Sequence, residues 1–199
     1  MAEAVKESGK PIVVTAGLLG QPLINGFITE ESLADNSLRK SESTALALAG
    51  EGSNISVIRL PPSVHDKGDK GFVPFIIAQA RKNGVSAYPA EEKNWSAVHR
   101  LDAARAFRLA VEKGARGAVY NAVGDSSIPL REIAALIGEK LNLPVQALSE
   151  EELANHFEWL SRFMAFEGSA TGTRTREALN WEPMHPGLLE DMKENYFNS

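Results

Sequence analysis

Apolar and polar positions fall into blocks along this chain, and each block carries the period of one kind of element. Ile12 to Val14 and Ile55 to Leu60 are short runs with β-branched residues at consecutive positions, which predicts strands buried on both faces. Pro61 and Pro62 end the second run, because proline has no N–H to give a central ladder. Val85 to Tyr88, Ala118 to Val123 and Pro144 to Leu148 read as further strands. Between them lie helical patterns. One runs from about Leu38 to Ala49 and stops at Gly50 and Gly52; another runs from Phe72 to Lys82, with Pro74 in its first turn and Asn83-Gly84 as its stop. Asp102 to Lys113 has Ala103, Phe107, Ala110 and Val111 as its apolar stripe, with Asp102 as N-cap. Leu130 to Leu141 is a fourth helix, and Ser149 opens a fifth that reaches about Phe163, with Glu152 completing a capping box. Short helices near Thr173 to Leu179 and from Leu188 to about Tyr196 close the chain, and residues 1–9 read as the tail of a helix ended by Ser8-Gly9.

Strands alternating with helices predict an α/β fold with a largely parallel sheet. An apolar strand needs neighbours on both sides, so its place directly after residue 11 suggests that strands upstream of it are absent. Composition narrows the chemistry further. The 199 residues are 43% hydrophobic and 24% charged, with no cysteine, which excludes disulfides, thiolate catalysis and cysteine-bound zinc. A formal charge of −5 without a basic block argues against a nucleic-acid partner. There is no apolar run of about 18 residues for a bilayer and no signal-peptide core, so a cytoplasmic location and no membrane partner are expected.

The stretch PIVVTAGLLG, residues 11–20, is strand-like and then glycine-spaced. A dinucleotide fingerprint needs three glycines between a strand and a helix, because the helix N-terminus meets the pyrophosphate. Here Thr15 stands where the first glycine belongs, and Gln21 to Gly26 turns instead of forming a helix. Gly17 and Gly20 therefore serve as the exit from a strand. Thr15 gains interest instead, since a hydroxyl at the C-terminal end of a parallel strand lies on the edge where such sheets bind ligands.

Four segments in order, "VVTAGLLG", "SVIRLPPSVHDKGD", "AVHRLDAARAFRLAVEKGARGAVYNAVGD" and "TRTREALNWEPMHPGL", resemble the extended short-chain dehydrogenases/reductases, the NAD(P)-dependent epimerase/dehydratase group. The likeness covers the C-terminal two thirds of that fold. It implies the C-terminal part of a Rossmann-like sheet with helices on its faces plus a small, mostly helical substrate-binding subdomain. Residues 1–148 correspond to the partial Rossmann-like domain, with a substrate-region insert near 61–100, and 149–199 to the helical part. The family's glycine-rich cofactor half has no counterpart here, and neither has its Tyr-x-x-x-Lys pair. Leu38 occupies the tyrosine position and Glu42 the lysine position; a shift of one residue offers Arg39 and Ser43.

The resemblance implies NAD or NADP as cofactor and a small carbonyl, hydroxyl or sugar-like substrate. Candidate catalytic residues are Thr15, Arg39 and His65; Arg39 or Lys40 can polarise a carbonyl, or can pair with Glu42 or Glu30 on the surface. Pro61, Pro62, Ser63 and Val64 occupy the turn that meets the nicotinamide, and Asp69, Phe72, His99 and Arg100 are substrate candidates. His156 and His185 have no second ligand at metal spacing, so no metal is expected. Two readings stay open: an atypical oxidoreductase or epimerase, and a non-catalytic dinucleotide-sensing or interaction protein on the same fold. The expected partner is a second copy of the chain, or a chain that supplies the absent strands.

Overall fold

The two apolar runs Ile12–Gly17 and Ile55–Leu60 lie side by side in parallel, Ile12 opposite Ile55 and Gly17 opposite Leu60. The structure is a computed structural model describing residues 8–33 and 40–197. In chain order its elements are β1 (Ile12–Gly17), α1 (Ser41–Gly50), β2 (Ile55–Leu60), β3 (Ser63–His65), α2 (Phe72–Asn83), β4 (Ser86–Pro89), β5 (Asn94–His99) and α3 (Arg100–Lys113). There follow β6 (Val119–Asn121), β7 (Asp125–Pro129), α4 (Leu130–Leu141), β8 (Val145–Leu148), α5 (Glu150–Phe157), a 3-10 turn at Glu158–Leu160, α6 (Ser161–Met164), α7 (Thr173–Leu179) and α8 (Leu188–Asn195).

Three small sheets result, ordered β1-β2-β6, β3-β5-β7 and β4-β8; every pairing is parallel except β5 with β7. β2 is the central strand of the first sheet and is buried from Ile55 to Arg59. β1 is less buried than its composition predicts: Ile12, Val13 and Val14 are only half-covered, because β1 lies at the sheet edge and pairs with β2 alone among the described residues. The largest apolar core joins α2, β5, α4, α5 and α8 around Trp95, Ile137 and Phe157.

Several elements differ from the periodicity reading. β3, β5 and β7 occupy segments whose mixed composition gave no strand signal. The helix expected from Ser149 keeps its capping box, with Ser149 accepting from the Glu152 N–H, but it breaks at Glu158, which adopts a φ of 52°. α3 begins at Arg100, capped by His99, whose Nδ1 accepts from the Leu101 N–H at 3.2 Å, so Asp102 is not its N-cap. Its buried stripe is Ala103, Ala106, Leu109 and Ala110, and Val111 is 48% exposed. The tail expected over residues 1–9 and the helix start at Leu38 fall largely outside the described residues. The segment 18–33 contains no helix, and Gly20 takes a φ of 90°, as an exit turn requires.

One charge lies inside this apolar framework. Arg59 of β2 is 0% exposed. Its guanidinium is engaged by Glu42 of α1 through two donors, Nε to Oε2 at 3.0 Å and Nη2 to Oε1, while Nη1 donates to the Thr29 carbonyl at 3.1 Å and Nη2 to that of Ser32. Gln21 Nε2 adds a donor to Glu42 Oε2 at 3.2 Å. A guanidinium desolvated this far persists only when its N–H groups are paired. The pair thereby ties α1 and the segment 21–32 to the central strand. Glu42 and Glu30, expected to meet Arg39 or Lys40 on the surface, are instead buried: Glu42 belongs to Arg59, and Glu30 Oε1 accepts from the Thr175 N–H and Oγ at 2.8 and 2.7 Å. Replacing Arg59→Leu is expected to lower unfolding stability by about 3 kcal/mol, because it strands a buried carboxylate. Adding Glu42→Leu is expected to restore part of that loss, read as the urea midpoint; an Arg59→Leu midpoint equal to wild type would contradict the role assigned to the pair.

Candidate functional site

β1 and β2 point their C-terminal ends the same way, and a cleft of about 570 Å³ opens where they end. Parallel sheets bind ligands on this edge because the loops that leave it splay apart there. Thr15 and Gly17 of β1 contribute to its floor, and the exit turn Leu18–Gln21 forms one side. Ser41 and Glu42 at the start of α1, with Leu60, Pro61 and Pro62 after β2, bring the helix and the central strand to the same wall. Val64, Phe72, Phe163 and Phe166 close the far side.

Thr15 is exposed towards this space, and its carbonyl lies 3.5 Å from the Ser41 hydroxyl. Among the described residues Glu42 is the ionisable side chain of the wall, and its carboxylate is already claimed by Arg59. The aromatic side is one assembly: Phe72 lies 5.2 Å from Phe163, 5.5 Å from Trp95 and 5.9 Å from Trp159, centroid to centroid. Edge-tilted rings at these separations pack favourably beyond their area alone.

The candidates named from sequence divide between two places. Thr15, Pro61, Pro62, Val64 and Phe72 share the cleft. Ser63 and His65 do not, because alternation along β3 sends Val64 one way and its two neighbours into the opposite, buried side. Asp69 lies outside the cleft wall and accepts from Tyr196 Oη at 2.9 Å and the Gly71 N–H at 2.6 Å. Arg39 lies outside the described residues. Phe163, Phe166 and Ser41 join the wall without having been singled out in the sequence; nothing in their local spacing connects them to Thr15.

His65, His99 and Arg100 belong to a second cluster. His65 is fully buried, with Nδ1 at 2.8 Å from Asp191 Oδ2 of α8. Its ring meets His99 edge-on at 5.4 Å, and His99 stacks on His185 at 4.5 Å with 9° between the planes. Each imidazole has a carboxylate: His99 Nε2 lies 3.6 Å from Asp66, which also accepts from Arg100 at 2.6 Å, and His185 Nδ1 lies 3.0 Å from Asp102. Burial, opposed by Asp66 and aided by His185 and His65, holds the His99 pKa below its ordinary value. Burial pushes Asp66 and Asp102 upward, but their bonds outweigh it and hold both low: the Lys67 N–H and Arg100 for Asp66, and the His185 ring with the His185 and Met184 N–H groups for Asp102.

The fold thus gives His185 the neighbours that its sequence spacing did not. His99, Asp102 and His185 each offer a ligand atom within 4.8 Å of the others. Stacked rings hold their nitrogen lone pairs in parallel planes, and His99 Nδ1 is occupied by the Leu101 N–H, whereas a metal-bound imidazole donates through its second nitrogen. The group is built as three imidazoles backed by three carboxylates, and it fastens the 184–191 segment and α8 to the ends of β3 and β5.

Among the described residues no helix is long and apolar enough to cross a membrane. No protein-family model matches the chain. It is 41% identical over 202 residues to the uncharacterised protein YLL056C of Saccharomyces cerevisiae, covering 98% of this chain and 67% of that protein. It is 37% identical over 201 residues to the uncharacterised protein C2A9.02 of Schizosaccharomyces pombe, covering 99% and 68%. Among solved structures it superimposes on a dTDP-glucose 4,6-dehydratase from Bacillus anthracis in complex with NAD, with TM-score 0.72, 19% identity, and 98% of this chain on 64% of that one. A UDP-glucose 4-epimerase from Thermotoga maritima, solved with UDP-glucose, gives TM-score 0.69, 18% identity, and 97% on 67%. The chain spans about two thirds of the length of these relatives and neighbours. It belongs to one family with the two yeast proteins, and it has the Rossmann-like fold of the NAD-dependent epimerases and dehydratases.

Proposed function

We propose that this protein is an NAD(P)-dependent oxidoreductase- or epimerase-like protein whose substrate, a small carbonyl or hydroxyl compound, lies in the cleft at the ends of β1 and β2. The observation that carries this reading is the exposed Thr15 hydroxyl at the C-terminal end of a parallel strand, facing Pro61, Pro62 and Val64 across one cleft. The residues present fit the ring end of such a cofactor: Leu60, Pro61, Pro62 and Val64 form an uncharged wall suited to a flat ring. They supply no pyrophosphate cradle where β1 ends, since Gly17 and Gly20 lead into the segment 18–33, which contains no helix. When bound, the nicotinamide supplies or accepts a hydride. Thr15 Oγ would donate a hydrogen bond to the substrate oxygen on which charge collects, and the Phe72 side of the cleft would exclude water.

A binding-only reading draws on a separate observation. Tyr88, Tyr120 and Tyr196 lie outside the cleft; Tyr120 Oη accepts from the Ala115 N–H and Tyr196 Oη donates to Asp69. No described phenol is therefore at hand for proton transfer, as a dinucleotide-sensing or interaction protein would allow. The outer edge of β1, unpaired among the described residues, supports pairing there with a second copy or another chain's strand. His65 and His99 act in this reading as structural groups that dock α8.

Titration of the chain with NADH and NADPH, followed by cofactor fluorescence and by carbonyl-dependent loss of the reduced cofactor, separates the readings. Turnover with weak cofactor binding is expected, because the cleft offers no pyrophosphate cradle, with Thr15→Val lowering its rate by about tenfold, or about 1.4 kcal/mol of transition-state stabilisation, and leaving that binding unchanged. Binding without turnover would select the sensing role, and neither binding nor turnover would exclude the catalytic and sensing readings and leave the interaction role. The histidine cluster makes an independent prediction. Because the His99 pKa is depressed in the fold, the unfolded chain takes up that proton first, so this stability is fully present above the ordinary value of 6.5 and is lost as pH falls below it. The thermal midpoint is expected to fall between pH 7.5 and 5.5, and His99→Asn, which keeps an N-cap acceptor, is expected to flatten that fall. An equally steep fall in the variant would remove His99 from the explanation.

A further inference from the structure

The wall of the cleft carries information about what it admits. Three phenylalanines, Phe72, Phe163 and Phe166, face it, and the polar groups beside them are the hydroxyls of Thr15 and Ser41 and the amide of Gln21. Among the described residues no arginine, lysine or histidine forms part of that wall. Glu42 does, but its charge is cancelled by the buried Arg59, which spends its N–H groups on Glu42, Thr29 and Ser32. Arg162 is held over the Phe163 ring, its Cζ 4.8 Å from the centroid, and is not a lining residue.

A nucleotide-activated sugar brings a diphosphate, and a protein that holds one commits cations to it, most often arginine in bidentate geometry. Placing that anion against phenyl rings and a neutralised carboxylate would forfeit its hydration without replacement. An uncharged molecule meets the opposite conditions. At about 570 Å³ the cleft has the size and apolar bias of a site for a compact organic ligand, with a few hydroxyls to fix one oxygen.

Resting on the catalytic reading of the cleft, we propose that its substrate is an uncharged organic carbonyl or alcohol with an aromatic or branched apolar body, and not a nucleotide-activated sugar. Phe163 and Phe166 determine that preference and Thr15 holds the oxygen. Phe166 is 42% exposed, so its truncation leaves the core intact. Trp159, half-exposed and 6.1 Å from Phe163 and 5.9 Å from Phe72, reports on ligand in the cleft.

The experiment titrates the 199-residue protein with 2-naphthaldehyde and, separately, with UDP-glucose, following tryptophan fluorescence and calorimetric heat, with and without NADPH or NADH. Saturable binding of 2-naphthaldehyde is expected, weakened about tenfold by Phe166→Ala, with no binding of UDP-glucose. UDP-glucose binding as tightly as the aldehyde would overturn the inference while leaving the catalytic reading in place. Aldehyde binding that Phe166→Ala does not change would mean adhesion elsewhere and would also overturn it, as would no binding of either ligand. Loss of NADPH or NADH in the presence of carbonyls is read in parallel. If the aldehyde binds as expected and neither cofactor is bound or consumed, the apolar ligand preference stands and the catalytic reading falls.

Discussion

The ion pair between Arg59 and Glu42 governs the architecture around it. A β-strand covered on both faces has no water to offer a guanidinium, so each donor has to find an oxygen fixed by the fold. Those oxygens come from α1 and from the carbonyls of Thr29 and Ser32. Meeting this demand draws α1 onto the first sheet and folds the 18–33 segment back across it. The cleft is a by-product: its floor is the strand end that the pair anchors, and one of its walls is the helix start that the pair draws in.

The same economy runs through the second polar network. Glu30, on the segment that the guanidinium holds, accepts two bonds from Thr175 at α7, and Thr175 Oγ in turn accepts from the Asn121 N–H of β6. A continuous hydrogen-bonded route thus links α1, the 18–33 segment, α7 and β6. It is wholly distinct from the imidazole cluster, which serves a different seam, between α8 and the ends of β3 and β5. Each of the two networks joins elements that lie far apart in sequence.

Much of the fold was legible because its signals are local. The strand at 55–60, the Ser149 capping box and the helix stop at Gly84, where φ is 69°, each follow from a few adjacent residues. β5 escaped notice because Asn94-Trp-Ser-Ala-Val-His99 shows neither alternation nor a continuous apolar run, and its burial comes from the helices packed on it. Thr15 could be singled out because it ends a strand, a one-dimensional property. Phe163 and Phe166 could not, since Phe163 of α6 reaches the cleft by packing on Phe72 of α2, and Phe166 follows two residues after that helix ends. An arginine inside the run Ile-Ser-Val-Ile-Arg-Leu was the available clue to a buried partner, but Glu42, 17 positions away, could not be identified from spacing alone.

β3 is three residues long, and its alternation decides which chemistry meets which space. Val64 faces the cleft, while Ser63 and His65 face the interior. Removing one residue from the Pro61-Pro62 turn would shift the parity of everything after it, bringing an imidazole into the cleft and an aliphatic chain against Asp191. Two consecutive prolines, with their fixed φ angles, oppose such slippage. The turn that looks like a simple strand terminator therefore acts as a phase lock, keeping an acid-base group sealed on the far side of a strand from a neutral, hydroxyl-lined cavity.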